Sequence, residues 1–241
     1  MKKIVICLVT LFLLATTQAH AEDAMEYFNL GLRSSMENQR IEYFSKALQL
    51  NPGFAAAYQK RGMLYYFQEK YDNVIQDFKN YTKLVPEEAD GYRMLGMGYL
   101  YKGLHGEAID NFTRAIKIDP NLTSAFCYRA KAFRLSGKNE EAILDSTRAI
   151  QLGGDPRDLA SAYATRAQAY YEIGRDKLGD ADRSKSFEVD PTNLFAEACL
   201  YRPAVASTSL EDIRKVGLLG IIGIAVVLIL RIKLWSPQKD E

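Results

Sequence analysis

Residues 89–122 read ADGYRMLGMGYLYKGLHGEAIDNFTRAIKIDPNL. Tyr92, Gly96 and Tyr99 are spaced by four and three residues, which puts two rings and a small residue on one helical face. Gly103 then suits a left-handed break. A second helical stretch carries Ala108, Phe112 and Ala115. It ends at Asp119-Pro120, because a residue before proline disfavours helical dihedrals.

The same pattern recurs on either side. Asn51-Pro52, Val85-Pro86, Asp119-Pro120, Asp155-Pro156 and Asp190-Pro191 are spaced by 34, 34, 36 and 35 residues. A fixed period of this size marks stacked helical hairpins, each of which leans on its neighbours to bury its apolar face. In the first helices an aromatic column runs Tyr58, Tyr92, Phe126, Tyr163, a small column Gly62, Gly96, Ala130, Ala167, and a second aromatic column Tyr65, Tyr99, Phe133, Tyr170. The second helices carry Val74, Ala108, Ala142 and Gly179, with bulky Phe44, Phe78 and Phe112 beyond them. Breaks are expected at Gly103, Gly137 and Gly174, and each pre-proline residue is expected to stop a second helix.

Leu95-Gly96-Met97-Gly98-Tyr99, with Gly103, Ala108, Phe112, Ala115 and Pro120, resembles the 34-residue pattern of the tetratricopeptide repeat (TPR) family. The resemblance covers about residues 22–202 and implies an all-α solenoid of antiparallel helix pairs, wound as a right-handed superhelix with a concave ligand groove. It divides the chain into a degenerate N-terminal repeat, 22–54, full repeats at 55–88, 89–122, 123–158 and 159–193, and a capping helix at 194–202. In the first unit Gly31 stands only 16 residues before Ala47, where the family has 19, and Arg40 fills a small site, so this unit reads as truncated. Ser146 and Arg183 replace the bulky aromatic, which thins the packing toward the C-terminus, and Gly153-Gly154 with Arg157-Asp158 lengthens one connection.

Both ends carry addresses. Lys2 and Lys3, the apolar run Ile4 to Leu14 and Ala19-His20-Ala21 read as a signal peptide over 1–21. Its removal would take the formal net charge from +1 to −1, a balance that argues against nucleic acid as the partner. After a linker at 203–215, residues 216–235 read as a transmembrane helix: Val216 to Leu234 would span about 28 Å, the thickness of a hydrocarbon core. Arg231 and Lys233 would snorkel, Trp235 would sit at the interface, and 236–241 would form a cytoplasmic tail. Gly217, Gly220 and Gly223 put a small-residue stripe on this anchor; a weak homodimer is one reading, ordinary glycine usage in membrane helices the other. Cys127 and Cys199 fall two repeats apart, too far for a disulfide.

Catalytic constellations are missing from the sequence. His105 is the single histidine after the signal segment, and neither a Walker loop, GxSxG nor HExxH occurs. Glu87-Glu88 and Glu140-Glu141 fit helix starts, where acids complement the dipole. Asn80-Tyr-Thr82, Asn111-Phe-Thr113 and Asn121-Leu-Thr123 fit the glycosylation sequon, but the short Met-Lys-Lys start resembles a bacterial signal segment, where such triplets are usually idle, and chance is the reading for them. The expectation is therefore a non-enzymatic protein with no cofactor and no metal.

The resemblance also implies which columns face a partner: Gln59, Met63 and Tyr66; Arg93, Met97 and Leu100; Cys127, Lys131 and Arg134; Ala164, Gln168 and Tyr171. Cations, thioethers and aromatics with no acid in those columns suit a protein or peptide ligand of acidic and apolar character. The Lys and Asn residues that grip chaperone C-termini in some family members are missing, Gln59, Met63, Met94 and Met97 standing near those places. The resulting expectation is an interaction scaffold exported across, and tethered to, the cytoplasmic membrane, serving an envelope-assembly, secretion or transport complex. The alternatives are a tail-anchored receptor facing the cytosol, of import or membrane-division type, and an accessory subunit of a transporter or hydrolase.

Overall fold

The computed structural model describes residues 23–192. The segments read as signal peptide, capping helix, linker, transmembrane helix and tail lie outside those residues. No described helix is long and apolar enough to cross a membrane.

The described residues form ten helices and no strand. They are α1 (23–33), α2 (Glu37–Leu50), α3 (Ala55–Phe67), α4 (Tyr71–Leu84), α5 (Ala89–Tyr101), α6 (His105–Ile118), α7 (Thr123–Leu135), α8 (Asn139–Leu152), α9 (Pro156–Glu172) and α10 (Asp176–Val189). Each packs on its sequence neighbours. The hairpins are antiparallel: Gly62 meets Phe78 while Gln59 meets Tyr81.

The breaks follow the local chemistry. Gly103, Gly137 and Gly174 take φ of +82°, +75° and +75° in the turns. The matching place in the 55–88 unit holds Glu69, at φ +57°. Asn51, Asp119 and Asp190 are extended and Val85, at φ −132° and ψ 73°, is likewise non-helical, so four of the proline dipeptides end a helix as expected. Asp155-Pro156 does not. Helix α8 has already ended at Leu152, with Gly153 at φ +74°. Pro156 instead opens α9, which starts ahead of the column-based boundary at 158/159. The reason is that proline at N1 has no missing bond to regret, and Asp155 caps the helix by accepting from the Arg157 amide. The extra residues therefore lengthen α9 to 17 residues against 13 in its counterparts α3, α5 and α7.

A ring set into a glycine notch joins the two helices of the first three units. A Cβ on Gly31, Gly62 or Gly96 would lie 2.5, 2.7 or 2.7 Å from the ring of Phe44, Phe78 or Phe112. Where the notch is filled, by Ala130 and Ala167, the ring is replaced by Ser146 and Arg183. Ser146 is fully buried and its hydroxyl has no hydrogen-bond partner.

Polar staples tie one repeat to the next. Arg61, Arg129 and Arg166 each donate two hydrogen bonds to an aspartate 16 residues on, Asp77, Asp145 and Asp182, at 2.6–2.9 Å. The remaining nitrogen of each reaches back to a hydroxyl of the preceding repeat, Ser45, Thr113 or Thr147. The aromatic columns flank these guanidiniums: Arg61 lies 5.9 and 5.8 Å from the Tyr58 and Tyr65 rings, Arg129 5.6 and 5.7 Å from those of Phe126 and Phe133. The 89–122 repeat has Leu95 and Asn111 in those places. Its junction is apolar instead, within a cluster of Val74, Ile75, Phe78, Leu95, Met97, Leu100 and Phe112. Gly98 permits it, since a Cβ there would sit 3.0 Å from Ile75 and 3.1 Å from Val74.

Candidate interaction surface

The first helices α3, α5, α7 and α9 present the columns named from the sequence, and the structure treats those residues unequally. Met97 and Leu100 are each only 4% exposed, and Cys127 and Ala164 are also buried. They pack between helices, so their side chains offer a partner almost no surface. Cys127 donates its thiol to the Asp158 carbonyl at 3.3 Å, and burial pushes that thiol well above its usual range, which makes it a packing residue. Gln59 donates to the Tyr81 hydroxyl at 3.5 Å. Tyr171 covers Gly179, where a Cβ would lie 2.5 Å from its ring, and donates its hydroxyl to Asp180 at 2.8 Å.

A smaller set comes together. The Tyr66 ring lies 5.8 Å from Tyr101, 6.4 Å from Tyr71 and 5.9 Å from Phe67, while Tyr71 and Tyr101 stack at 5.5 Å. Burial, reinforced by Tyr101, raises the Tyr66 phenol far above its usual value, so it stays neutral. Lys131 sits 5.1 Å over the Tyr101 ring, and burial followed by Arg134 lowers its pKa. Lys131, Arg134 and Gln168 share a small cleft with Ser161 and Thr165. Met63 remains 38% exposed.

The columns themselves carry no acid, but two acids beside them pair with their cations. Asp90 pairs with Arg93 at 2.7 Å, and Glu172 with Arg134 at 2.9 Å. Arg93 also donates to the Met97 sulfur at 3.3 Å. Both acids lie outside the columns that the family pattern singles out, one turn before Arg93 and at the last residue of α9, so a column reading passes over them. Two of the three cations are thereby neutralised within the protein, which shifts the surface from anion-seeking toward aromatic and apolar contact.

Tyr101 was also passed over. It belongs to a column at the last position of the first helices, Phe67, Tyr101, Leu135 and Glu172. Three successive members are exposed apolar residues, a signal readable from the sequence once helix ends are fixed. A separate concavity of about 410 Å³ surrounds Leu95, lined by Tyr92, Tyr99, Lys79 and Arg114 among others, where the other full repeats hold a staple arginine. No group of three or more metal-ligating side chains occurs among the described residues.

The family model of the tetratricopeptide repeat matches residues 89–122. The fold is that of the TPR. Solved structures, TPR proteins among them, align along most of it. YrrB, described as a TPR protein with an unusual peptide-binding site, is 23% identical, with 78% of this chain and 98% of YrrB covered at a TM-score of 0.62. A MamA protein structure is 20% identical over 80% of this chain and 98% of its own, at 0.60. MamA from Desulfovibrio magneticus is 16% identical over 71% and 97%, at 0.63. At these identities the likeness is one of fold. No curated protein matches the chain. TPR proteins are in general protein-interaction scaffolds, and the solenoid here has the corresponding arrangement of first helices.

Proposed function

We propose that this protein is a non-enzymatic TPR scaffold, exported and held at the cytoplasmic membrane by residues 216–235, that positions a protein partner of an envelope-assembly, secretion or transport complex. The observation that carries the binding part is the run of rings and cations from Tyr66 through Tyr101 to Lys131, which crosses three successive first helices on one surface. Such a surface recognises an extended segment or helix through stacking and apolar contact. The peptide-binding site of YrrB gives a precedent on a similar fold. The membrane part rests on the sequence of the two termini.

Two measurements test the two parts. A reporter fused after Glu241 is expected to be active in the cytoplasm, and mass spectrometry is expected to find a mature N-terminus at Glu22; a periplasmic reporter or a retained Met1 overturns the topology. Cross-linking in the native membrane followed by capture is expected to recover one partner whose yield drops at least ten-fold with Tyr101→Ala plus Lys131→Glu. Unchanged yield moves the binding site off this surface.

A further inference from the structure

Helix α1 lacks its last turn. The Gly31–Phe44 notch fixes its register against the other units, because it repeats the Gly62–Phe78 and Gly96–Phe112 contacts. From that anchor α3 and α5 continue to Phe67 and Tyr101, whereas α1 stops at 33 and α2 starts at Glu37. Three residues, one helical turn, are missing at the mouth of the first hairpin.

In the other units that turn covers the small column of the second helix. Tyr171 lies over Gly179, and Val74 and Ala108 are fully buried. The same column in the first unit holds Arg40, which is partly exposed. Where the turn would lie there is a pocket of about 370 Å³, lined by Glu37, Arg40, Lys60, Met63, Leu64 and Phe67. That volume is within the range of ligand sites. Phe67 is 69% exposed beside it. The Arg40 Nε is buried with no hydrogen-bond partner, as is the Oε1 of Gln68, whose amide nitrogen points to Glu37 at 3.4 Å. The slot thus sets apolar Met63, Leu64 and Phe67 beside charged Arg40, Lys60 and Glu37.

We infer that this slot docks a bulky apolar side chain of an extended partner segment, with a neighbouring carboxylate taken by Arg40. The side chain replaces the turn that α1 lacks and covers Met63, Leu64 and Phe67. The carboxylate pairs with the positive charge of Arg40 and is favoured by the charge balance of the slot, where Arg40 and Lys60 face Glu37 alone. This rests on the reading of the protein as a scaffold for a protein partner, and adds where the segment enters and which residues it carries.

The test uses the full chain in lipid nanodiscs and a fluorescein-labelled peptide, Gly-Ser-Phe-Asp-Leu-Glu-Phe-Asp, followed by anisotropy. Saturable binding is expected, weakened at least ten-fold by Phe67→Ala and by Arg40→Met, and abolished when Ala-Leu-Tyr is inserted after Arg33 to restore the turn. A peptide with Asn and Gln for its acids is expected to bind the wild type as weakly as the original binds Arg40→Met. Circular dichroism checks that each variant keeps its helices; Phe67→Ala removes an exposed ring and is expected to leave them intact. No saturable binding, or equal binding by all variants, overturns the inference. Binding lost with Lys131→Glu but kept by the slot variants also overturns it, yet leaves the scaffold reading standing. A benzoylphenylalanine placed at 67 reports the other occupants: peptide-free cross-linking to residues 1–22 of the same chain, or to a second copy, overturns it as well.

Discussion

The guanidinium of Arg129 donates to both carboxylate oxygens of Asp145, at 2.7 and 2.9 Å, and its third nitrogen reaches Thr113 in the preceding repeat at 3.0 Å. One side chain therefore holds three helices. The planar fork of arginine suits this task and the point charge of lysine does not. The 89–122 repeat solves the same junction with Leu95 and Asn111, so the chain contains both the polar and the apolar solution in one architecture.

Removing one partner of that staple is expected to cost more than removing both. Arg129→Met leaves Asp145 partly buried and unpaired, and should lower stability by about 3 kcal/mol, whereas Arg129→Leu with Asp145→Asn, copying the 89–122 repeat, should cost about 1 kcal/mol. Urea unfolding midpoints of the two variants compare them; a double variant no better than the single one refutes the exchange.

Gly96→Ala places a methyl 2.7 Å from the Phe112 ring and is expected to destabilise the array by about 1–3 kcal/mol. Adding Phe112→Ser recreates the Ala130–Ser146 combination and should relieve the clash, though not restore the lost apolar burial. Thermal unfolding of both variants would reveal the relief, and additive losses would count against the notch.

Ser146→Ala should stabilise the protein. The hydroxyl is buried without a partner, so its loss is expected to gain about 1 kcal/mol, with an upward shift in the urea midpoint. A destabilised variant would mean that the hydroxyl is satisfied in solution.

Glu69→Gly should also stabilise. Glu69 holds a left-handed φ of +57° where the next three repeats have glycine, and relieving that conformation is worth about 1 kcal/mol, or roughly 2–4 °C in melting temperature for a domain of this size. A lower melting temperature would show that the glutamate makes a compensating contact.

Lys131 gives a pH test. Burial lowers its pKa in the folded state, so protonation works against folding: the penalty is present at neutral pH and is relieved as pH rises through the lowered pKa toward the usual lysine value of 10.5. Lys131→Met is therefore expected to be more stable than the wild type at pH 7, with the gap narrowing as the pH approaches 10.5. A gap that widens with pH contradicts this sign.

Much of the fold was legible because its signals are local. A residue before proline avoids helical dihedrals, glycine accepts positive φ, and rings at offsets of four and three mark one helical face; these constraints act within a few residues and survive in the bare sequence. The exception at Asp155-Pro156 is local too: the same dipeptide that stops a helix also makes a good start when an acid caps and proline follows.

The candidate interaction surface was legible only as columns. The sequence by itself determined the repeat period, the hairpin breaks, the glycine notches and the shortening of the first unit, all consequences of backbone preference and spacing. Only the tertiary structure decided that Met97 and Leu100 are buried, that Asp90 and Glu172 neutralise Arg93 and Arg134, that Tyr101 joins Tyr66 and Lys131, and that the shortened unit leaves an open slot beside Arg40. A helical face is fixed by periodicity, but the part of that face left uncovered depends on how closely the next helix approaches, and that distance is set by side chains far away in the chain.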